Sequence, residues 1–378
     1  MIITRVDIIP VVIPRKKEFI RKIAYGTFKE AKFVVIKVHT DEGIVGIGES
    51  NGSFINYWEC QETIAATLHT YIAPMLLKED PFNLEKIWLK MNAQGGGGGY
   101  IHAKAGIDIA LYDIMGKTLG IPIHKLMGGL SRDRFPVIGF YVGLGTIEQM
   151  VKAAEKLIAA GHNGLRVKIG QGLKEDENII RSIREALGKE IHIRVDANQS
   201  YMPYQAIKFI KILEKYDIEF VEQPTPWYDL RGMAEIVRAV NIPIMAHESL
   251  YSLADVVQHI AYRATDILGL KIYRPGGGIT NAKKVISLAE LMNIPCMVHS
   301  TGELGISTAA SAHLVASHYK NMKYVTEMTT PFPYVEDIVR NPIKIENGYV
   351  EVPKTPGLGV ELDEEKIAKY ALKTLICQ

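Results

Sequence analysis

Three carboxylates recur at one interval. Asp196 in IHIRVDANQ, Glu222 in IEFVEQP and Glu248 in IPIMAHES are each 26 residues from the next. Lys168 in LRVKIG precedes them and Lys271 in ILGLKIYRPGG follows. Each of the five closes a short apolar run that reads as a β-strand. Three carboxylates brought together cannot all stay ionised without a cation among them. Oxygen-only donors select a hard dication, Mg²⁺, with Mn²⁺ as the alternative. Such an ion can bind a substrate carboxylate and stabilise the enediolate left when the α-proton departs. A lysine on either side can remove that proton and return one to the opposite face, provided burial and nearby cations lower its pKa. A Schiff-base lysine is the competing chemistry, but it has no need of three carboxylates.

Other strand-end residues belong to the same set: Tyr141, His299 and Glu327. Arg166 stands two residues before Lys168, hence on the same side of the strand, where it can depress the lysine pKa and orient a substrate carboxylate. Asn198 reads either as a neighbour of the metal ligands or as a turn residue. His299 sits where an acid/base group would be useful, and a protonated Glu327 could donate to the substrate carboxylate. Arg15 to Tyr25 (RKKEFIRKIAY) is basic with apolar insertions and reads as a loop over the site that meets an anionic substrate. Ser53, Phe54 and Tyr57 lie in a second such segment, so Tyr25 and Phe54 are expected substrate contacts. Gly95 to Gly99 suits a mobile loop or a long connection. GIVGIGE resembles a dinucleotide fingerprint only loosely, since no helix follows it.

The elements that must position these residues change along the chain. Residues 1–60 alternate like an antiparallel meander, and residues 60–125 carry apolar residues at helical spacing. From about residue 135, short strands alternate with amphipathic helices at about 25-residue spacing, the size of a βα unit. Eight such units close into a (β/α)8 barrel, whose C-terminal rim gathers function. The expected domains are 1–130, an N-terminal α+β capping domain; 131–328, the barrel; and 329–378, a C-terminal segment that returns to the cap.

The 378 residues are 47% hydrophobic and 23% charged, with a net charge of +2. That balance implies neither a nucleic-acid nor a membrane partner. Cys60, Cys296 and Cys377 are too few and too dispersed for a disulfide framework or a zinc cluster. With no apolar run near 18 residues and an N-terminus that reads as a strand, the expected location is cytoplasmic.

The motifs TDEGIVGIGE, AKAGIDIALYDIMGK, GLRVKIG, RVDANQSY, VEQP, AHES, LKIYRPGGGI and TPGLGVELDE together resemble the mandelate racemase/muconate lactonizing enzyme branch of the enolase superfamily. The resemblance implies a modified (β/α)7β barrel capped by an α+β domain from both termini. It also implies a homo-oligomer and a small carboxylate substrate. Asp196, Glu222 and Glu248 would be Mg²⁺ ligands, and Lys168 and Lys271 the acid/base pair. A lysine at 271 resembles the muconate-lactonizing subgroup, which holds epimerases, racemases and cycloisomerases; His299 resembles the mandelate racemase subgroup. Arg166 stands where the family usually has Lys, and Glu248 where the lysine subgroup often has Asp. The expected activity is that of a Mg²⁺-dependent isomerase, with acid-sugar dehydration as the alternative.

Overall fold

Alternating β-branched residues make β1 (Ile3–Pro14) a long strand, buried along most of its length. A short hairpin, β2 (Arg21–Ile23) and β3 (Gly26–Phe28), leads into β4 (Glu30–Thr40) and β5 (Val45–Asn51). The computed structural model describes residues 1–23, 26–53, 59–94, 98–139, 141–162, 164–300, 302–329 and 333–378. The antiparallel sheet has the order β17-β1-β4-β5, where β17 (Leu375–Cys377) brings the C-terminal end of the chain to the edge of the N-terminal meander.

Against this sheet lies the helix Ile101–Leu119, buried from Ile101 through Gly116. The glycines of GIVGIGE serve that contact. A Cβ on Gly46 would stand 2.2 Å from the Ala110 carbonyl oxygen, and one on Gly48 would stand 1.9 Å from that of Gly106. No side chain fits there, so these glycines permit close helix-on-sheet packing rather than nucleotide binding.

The rest of the chain alternates strand and helix. After β6 (Arg134–Ile138) come β7 (Tyr141–Val142), β8 (Gly164–Lys168), β9 (His192–Asp196), β10 (Ile218–Glu222), β11 (Ile244–Ala246), β12 (Ile267–Leu270), β13 (Cys296–Val298) and β14 (Thr326–Glu327). Strands β7 to β13 form one seven-stranded sheet in sequence order, parallel throughout. Strand β14 instead pairs in parallel with β6, in a separate sheet with the hairpin β15 (Ile345–Glu346) and β16 (Tyr349–Glu351). The continuous eight-strand ring expected from the sequence is therefore not made by backbone pairing alone. β14 is only two residues long, and β6 also pairs with the antiparallel β16. Side-chain caps start several of the intervening helices: Thr146 accepts from the Gln149 amide, Asp229 from Gly232 and Ser252 from Asp255.

Period-two alternation sorts the parallel strands into two faces. Val167, Val195, Val221, Ala246, Leu268 and Val298 join the large apolar core. The opposite parity carries Phe220, Met245, Ile267 and Met297, a small separate cluster on the concave side. Arg194 extends it, its guanidinium 4.9 Å from the Phe220 ring centroid. Two residues further along the same face stand Asp196, Glu222, His247 and His299, with Lys271 four residues past Ile267 and Lys168 two past Arg166 and in register with Asp196. The apolar plug thus forms a floor, and the polar strand ends sit on it. Among the described residues no helix is long and apolar enough to cross a membrane.

Glu49 joins the cap to the parallel strands. This fully buried carboxylate accepts from Tyr273 Oη and the Leu304 amide, both at 2.8 Å, and from the Ser307 amide at 3.0 Å. Burial pushes its pKa up to about 8. An acid whose folded pKa is raised binds its proton more tightly in the native state, so this group's contribution to stability falls as pH rises from about 4.5 to 8. Denaturant titrations at pH 5, 6.5 and 8 should show that pH-dependent loss in the wild type. Glu49→Gln, which cannot ionise, should flatten it; an unchanged slope would remove Glu49 from the account.

Candidate active site

Arg166 is the centre of the polar rim. Its side chain is buried, with Nη1 2.7 Å from Asp196 Oδ2 and 3.3 Å from both oxygens of Glu222, and Nε 2.9 Å from Glu327 Oε1. One guanidinium therefore touches carboxylates from three strands. Burial works against that charge, but Glu327, Glu222 and Asp196 outweigh it and hold the guanidinium pKa above its usual value. Tyr141 closes one side, its ring centroid 5.2 Å from the guanidinium carbon and 5.3 Å from Lys168 Nζ.

The two lysines come from β8 and from the end of β12, with three strands between them. Lys168 Nζ donates to Asp196 Oδ2 and, at 2.6 Å, to Asn198 Oδ1. Lys271 is buried in a turn in which its amide and that of Arg274 each donate to the other's carbonyl. Burial, then the neighbouring Arg274 charge, push the Lys271 pKa well below that of an ordinary lysine. The two amines thus differ: one is paired with a carboxylate, the other biased toward its neutral form.

The carboxylates are equally unlike one another. Burial and the neighbouring Glu222 raise Asp196 to about 6. Burial would also raise Glu222, but His299 and Arg166 prevail and hold it well below the usual range. Glu248 falls to about 2, because its closeness to His247 overcomes burial. Glu248 Oε1 accepts from Asn198 Nδ2 at 2.7 Å. Asn198 has φ +42°, a left-handed conformation that Asn tolerates, and its own amide donates to Asp196 Oδ1 at 2.9 Å. It serves both as a turn residue and as a link between Lys168, Asp196 and Glu248.

The alternation along β11 reveals a residue that the sequence reading passed over. Met245 faces the concave side, so His247, two residues on, does too, while Glu248 follows at the opposite parity. His247 Nδ1 lies 2.6 Å from Glu222 Oε1 and 3.3 Å from Glu248 Oε2. Arg274 Nη2 lies 3.1 Å from His247 Nε2 and can only donate, so the neutral ring carries its proton on Nδ1, facing Glu222. Burial and the Lys271 charge keep it neutral, with a pKa of about 3. The signal was present in the sequence: IPIMAHE alternates, and counting by twos from Met245 arrives at His247. Gln223 holds this turn, its Oε1 accepting from the His247 amide at 2.9 Å and from Ser249.

His299 stacks on His247 with centroids 4.3 Å apart. Its Nε2 lies 3.0 Å from Glu222 Oε2 and its Nδ1 2.7 Å from Glu327 Oε2. The second contact is close but off the hydrogen-bond direction, and both of its atoms lack a hydrogen-bond partner. Arg166 and His299 overcome burial to hold Glu327 ionised, its pKa well below the usual carboxylate range. Donation to a substrate carboxylate requires a proton on Glu327; in this arrangement the carboxylate is instead an acceptor.

The donor set can be tested for a divalent ion. Glu248 Oε2 and Glu327 Oε2 are buried carboxylate oxygens without hydrogen bonds, as a cation site requires. The tightest group of ligand atoms is Glu222, His247 and His299, all within 4.8 Å of one another, rather than the three acids of the 26-residue spacing. Asp196 and Glu248 border that group through Arg166, Asn198 and His247. The buried acids fit a hard dication, with imidazoles close beside it.

Of the expected substrate contacts, Arg166, Asn198 and Tyr141 lie at this rim, while Tyr25 and Phe54 fall outside the described residues, as does Tyr57. A cavity of about 600 Å³ is lined by Thr27–Glu30, Lys32, Gly52, Ser53, Cys60 and Glu62.

Comparison with known proteins gives a consistent result. Residues 6–128 match the mandelate racemase/muconate lactonizing enzyme N-terminal domain, and residues 149–366 the enolase C-terminal domain-like family. The chain is 32% identical over 373 residues to N-succinyl-L-Arg/Lys racemase of Bacillus cereus, covering 98% of each. It is 32% identical to muconate cycloisomerase 1 of Acinetobacter baylyi, covering 92% of this chain and 94% of that one. The crystal structure of a dipeptide epimerase from Cytophaga hutchinsonii, complexed with Mg and the dipeptide D-Ala-L-Val, superposes with a TM-score of 0.93 at 29% identity over 100% of both chains.

Removing the central cation gives a direct test. Arg166→Met leaves Asp196, Glu222 and Glu327 buried without their shared partner, which should cost about 3–5 kcal/mol. A divalent ion should recover part of that loss, so Mg²⁺ should raise the melting temperature of the variant more than that of the wild type. Equal Mg²⁺ shifts in the two proteins would mean that Arg166 does not stand in for a cation.

Proposed function

The chain belongs to the mandelate racemase/muconate lactonizing enzyme family, and from that premise we propose a Mg²⁺-dependent isomerase, a racemase, epimerase or cycloisomerase, that moves a proton on the carbon next to a substrate carboxylate. The observation that carries the reading is the pair of buried lysines from opposite sides of one rim, with ionised carboxylates between them. In this reading β6/β7 to β14 act as one barrel, and residues 1–130 and 329–378 cap its mouth.

Asp196, Glu222 and Glu248 would hold the ion, with Mn²⁺ as a substitute, and His247 and Asn198 would orient Glu222 and Glu248. When bound, a divalent ion supplies the fixed positive field that makes the neighbouring C–H bond acidic. Lys271 takes the proton: its buried amine beside Arg274 is neutral at a lower pH than a free lysine. Lys168, bonded to Asp196 and Asn198, returns a proton from the other face. Arg166 and Tyr141 keep Lys168 in place and exclude water from that side. His299 has no part in proton transfer here; its two nitrogens face Glu222 and Glu327, and its side chain is fully buried. That assignment favours isomerisation over dehydration, which would need a further acid at a departing hydroxyl. A homo-oligomer in the cytoplasm completes the proposal.

Incubation with N-acylamino acids, dipeptides and muconates in D₂O tests it. At least one substrate class should isomerise without loss of water, and a chelator should stop the reaction. For a racemase or epimerase substrate, deuterium should also enter at the α-carbon. Lys168→Ala and Lys271→Ala should each lower kcat by about 10³-fold. Because Lys271 must be neutral to accept a proton, the rate should rise with pH to a midpoint below 10.5. Wild-type turnover in both lysine variants would sink the mechanism.

A further inference from the structure

His299 is a buried imidazole wedged between two carboxylates, Nε2 against Glu222 and Nδ1 against Glu327. A neutral imidazole has one N–H donor and one lone pair. With its proton on Nδ1, the Nε2 lone pair faces Glu222 Oε2 at 3.0 Å. With the proton on Nε2, the Nδ1 lone pair faces Glu327 Oε2 at 2.7 Å. Both acids are ionised beside Arg166, so either tautomer sets a lone pair against a carboxylate oxygen. A cation on one side removes that conflict and leaves the single ring proton for the other side.

The geometry tells the two sides apart. Around Nε2 the ligand atoms of Glu222, His247 and His299 lie within 4.8 Å of one another. Glu248 borders the same space, its Oε2 without a hydrogen bond and 3.3 Å from His247 Nδ1. The 3.0 Å between Nε2 and Glu222 Oε2 matches the spacing of adjacent ligands on a six-coordinate ion with bonds of about 2.1 Å. Arg166 Nη1 approaches the Glu222 oxygens only to 3.3 Å, against 2.7 Å for Asp196, so Glu222 is the acid it holds least closely. His247 is not an equivalent donor: Arg274 faces its Nε2 and leaves its proton on Nδ1. On the other side of the His299 ring, Glu327 offers Nδ1 one carboxylate oxygen that has no hydrogen bond of its own.

We propose that His299 is a metal ligand: its Nε2 joins Glu222 on the divalent ion, and its Nδ1–H is given to the Glu327 carboxylate. A ligating histidine that donates its other N–H to a carboxylate is fixed in one tautomer and one orientation. This rests on the isomerase reading, which places a dication among Asp196, Glu222 and Glu248, and it changes the ion that the site favours. Mg²⁺ is served by oxygen, whereas an imidazole nitrogen adds affinity for Fe²⁺, Co²⁺ and Zn²⁺. The site therefore holds a transition dication more tightly than Mg²⁺, by a margin that resides largely in one ring nitrogen. His299 stays outside proton transfer, because a nitrogen bound to the ion has no lone pair left for a substrate proton.

Electron spin-echo spectroscopy of the Mn²⁺-loaded protein reads the ligand without turnover. The wild type should show the ¹⁴N coupling of a directly bound imidazole. His299→Gln should lose that coupling, and His247→Gln should keep it. Calorimetric titration of the metal-free protein with Co²⁺ and with Mg²⁺ gives a second measure. His299→Gln should weaken Co²⁺ binding by about tenfold or more and Mg²⁺ binding by no more than about threefold. The wild-type spectrum decides by itself even where a variant misfolds. A wild type that binds Mn²⁺ without nitrogen coupling, a coupling that survives in His299→Gln, or equal losses for the two ions overturns the proposal. Nitrogen coupling with no isomerisation in D₂O would leave the ligand standing and defeat the isomerase reading; isomerisation without nitrogen coupling would do the reverse.

Discussion

The site depends on one constraint: four carboxylates, Asp196, Glu222, Glu248 and Glu327, are buried at one end of a parallel sheet and must be neutralised there. The protein supplies cations from the same strands. Arg166 spans three of the acids and Lys168 pairs with Asp196. Lys271 and Arg274 stand on the far side, within electrostatic reach of Glu222 and Glu248 respectively. Formal charges therefore nearly balance before any ion binds. A dication entering this set disturbs that balance, and the flexible groups able to answer are the lysines. The same arrangement that keeps the acids folded thus favours a neutral Lys271 once an ion is bound, and a neutral amine is what proton abstraction requires.

Arginine and lysine are not interchangeable here. Arg166 cannot lose its proton under ordinary conditions, so it is a permanent counter-charge, while its rigid fork reaches Asp196 and Glu327 at once. Lys168, one pleat further along, can give a proton away. The order R-V-K on β8 places the fixed charge deeper, against Asp196, Glu222 and Glu327, and the exchangeable one beside Tyr141 and Asn198. His247 extends the same logic on β11. An acid at that inward position would add a fifth buried carboxylate; a neutral imidazole, its tautomer set by Arg274, instead turns a donor toward Glu222.

Much of this was legible in the sequence. The shift from alternation to βα spacing near residue 135, the strand-end position of both lysines and the shared side of Arg166 and Lys168 follow from the period of a strand and the size of a βα unit. Three things were not legible, each for a physical reason. The turn after β11 puts two polar residues side by side; alternation from Met245 aims His247 inward, but its partner Glu222 comes from the neighbouring strand and meets it only in the fold. The protonation of Glu327 depends on Arg166 and His299, which lie 161 and 28 residues away in the chain and meet it only in three dimensions. The glycines of GIVGIGE match a phosphate-binding pattern by composition, and only the approach of the helix Ile101–Leu119 shows what they accommodate.

The cap and the parallel strands also depend on each other through buried charge. Glu49, from the cap, takes donors from Tyr273 in the turn after Lys271 and from the first turn of the helix after β13. Arg15, also from the cap, reaches the loops after β13 and β14. A packed apolar boundary would hold two domains together with little regard to azimuth. Directional hydrogen bonds to a strand-end turn and a helix start fix the rotation of the cap over the rim. A substrate bound between them would meet one geometry, with the reacting carbon over the lysines.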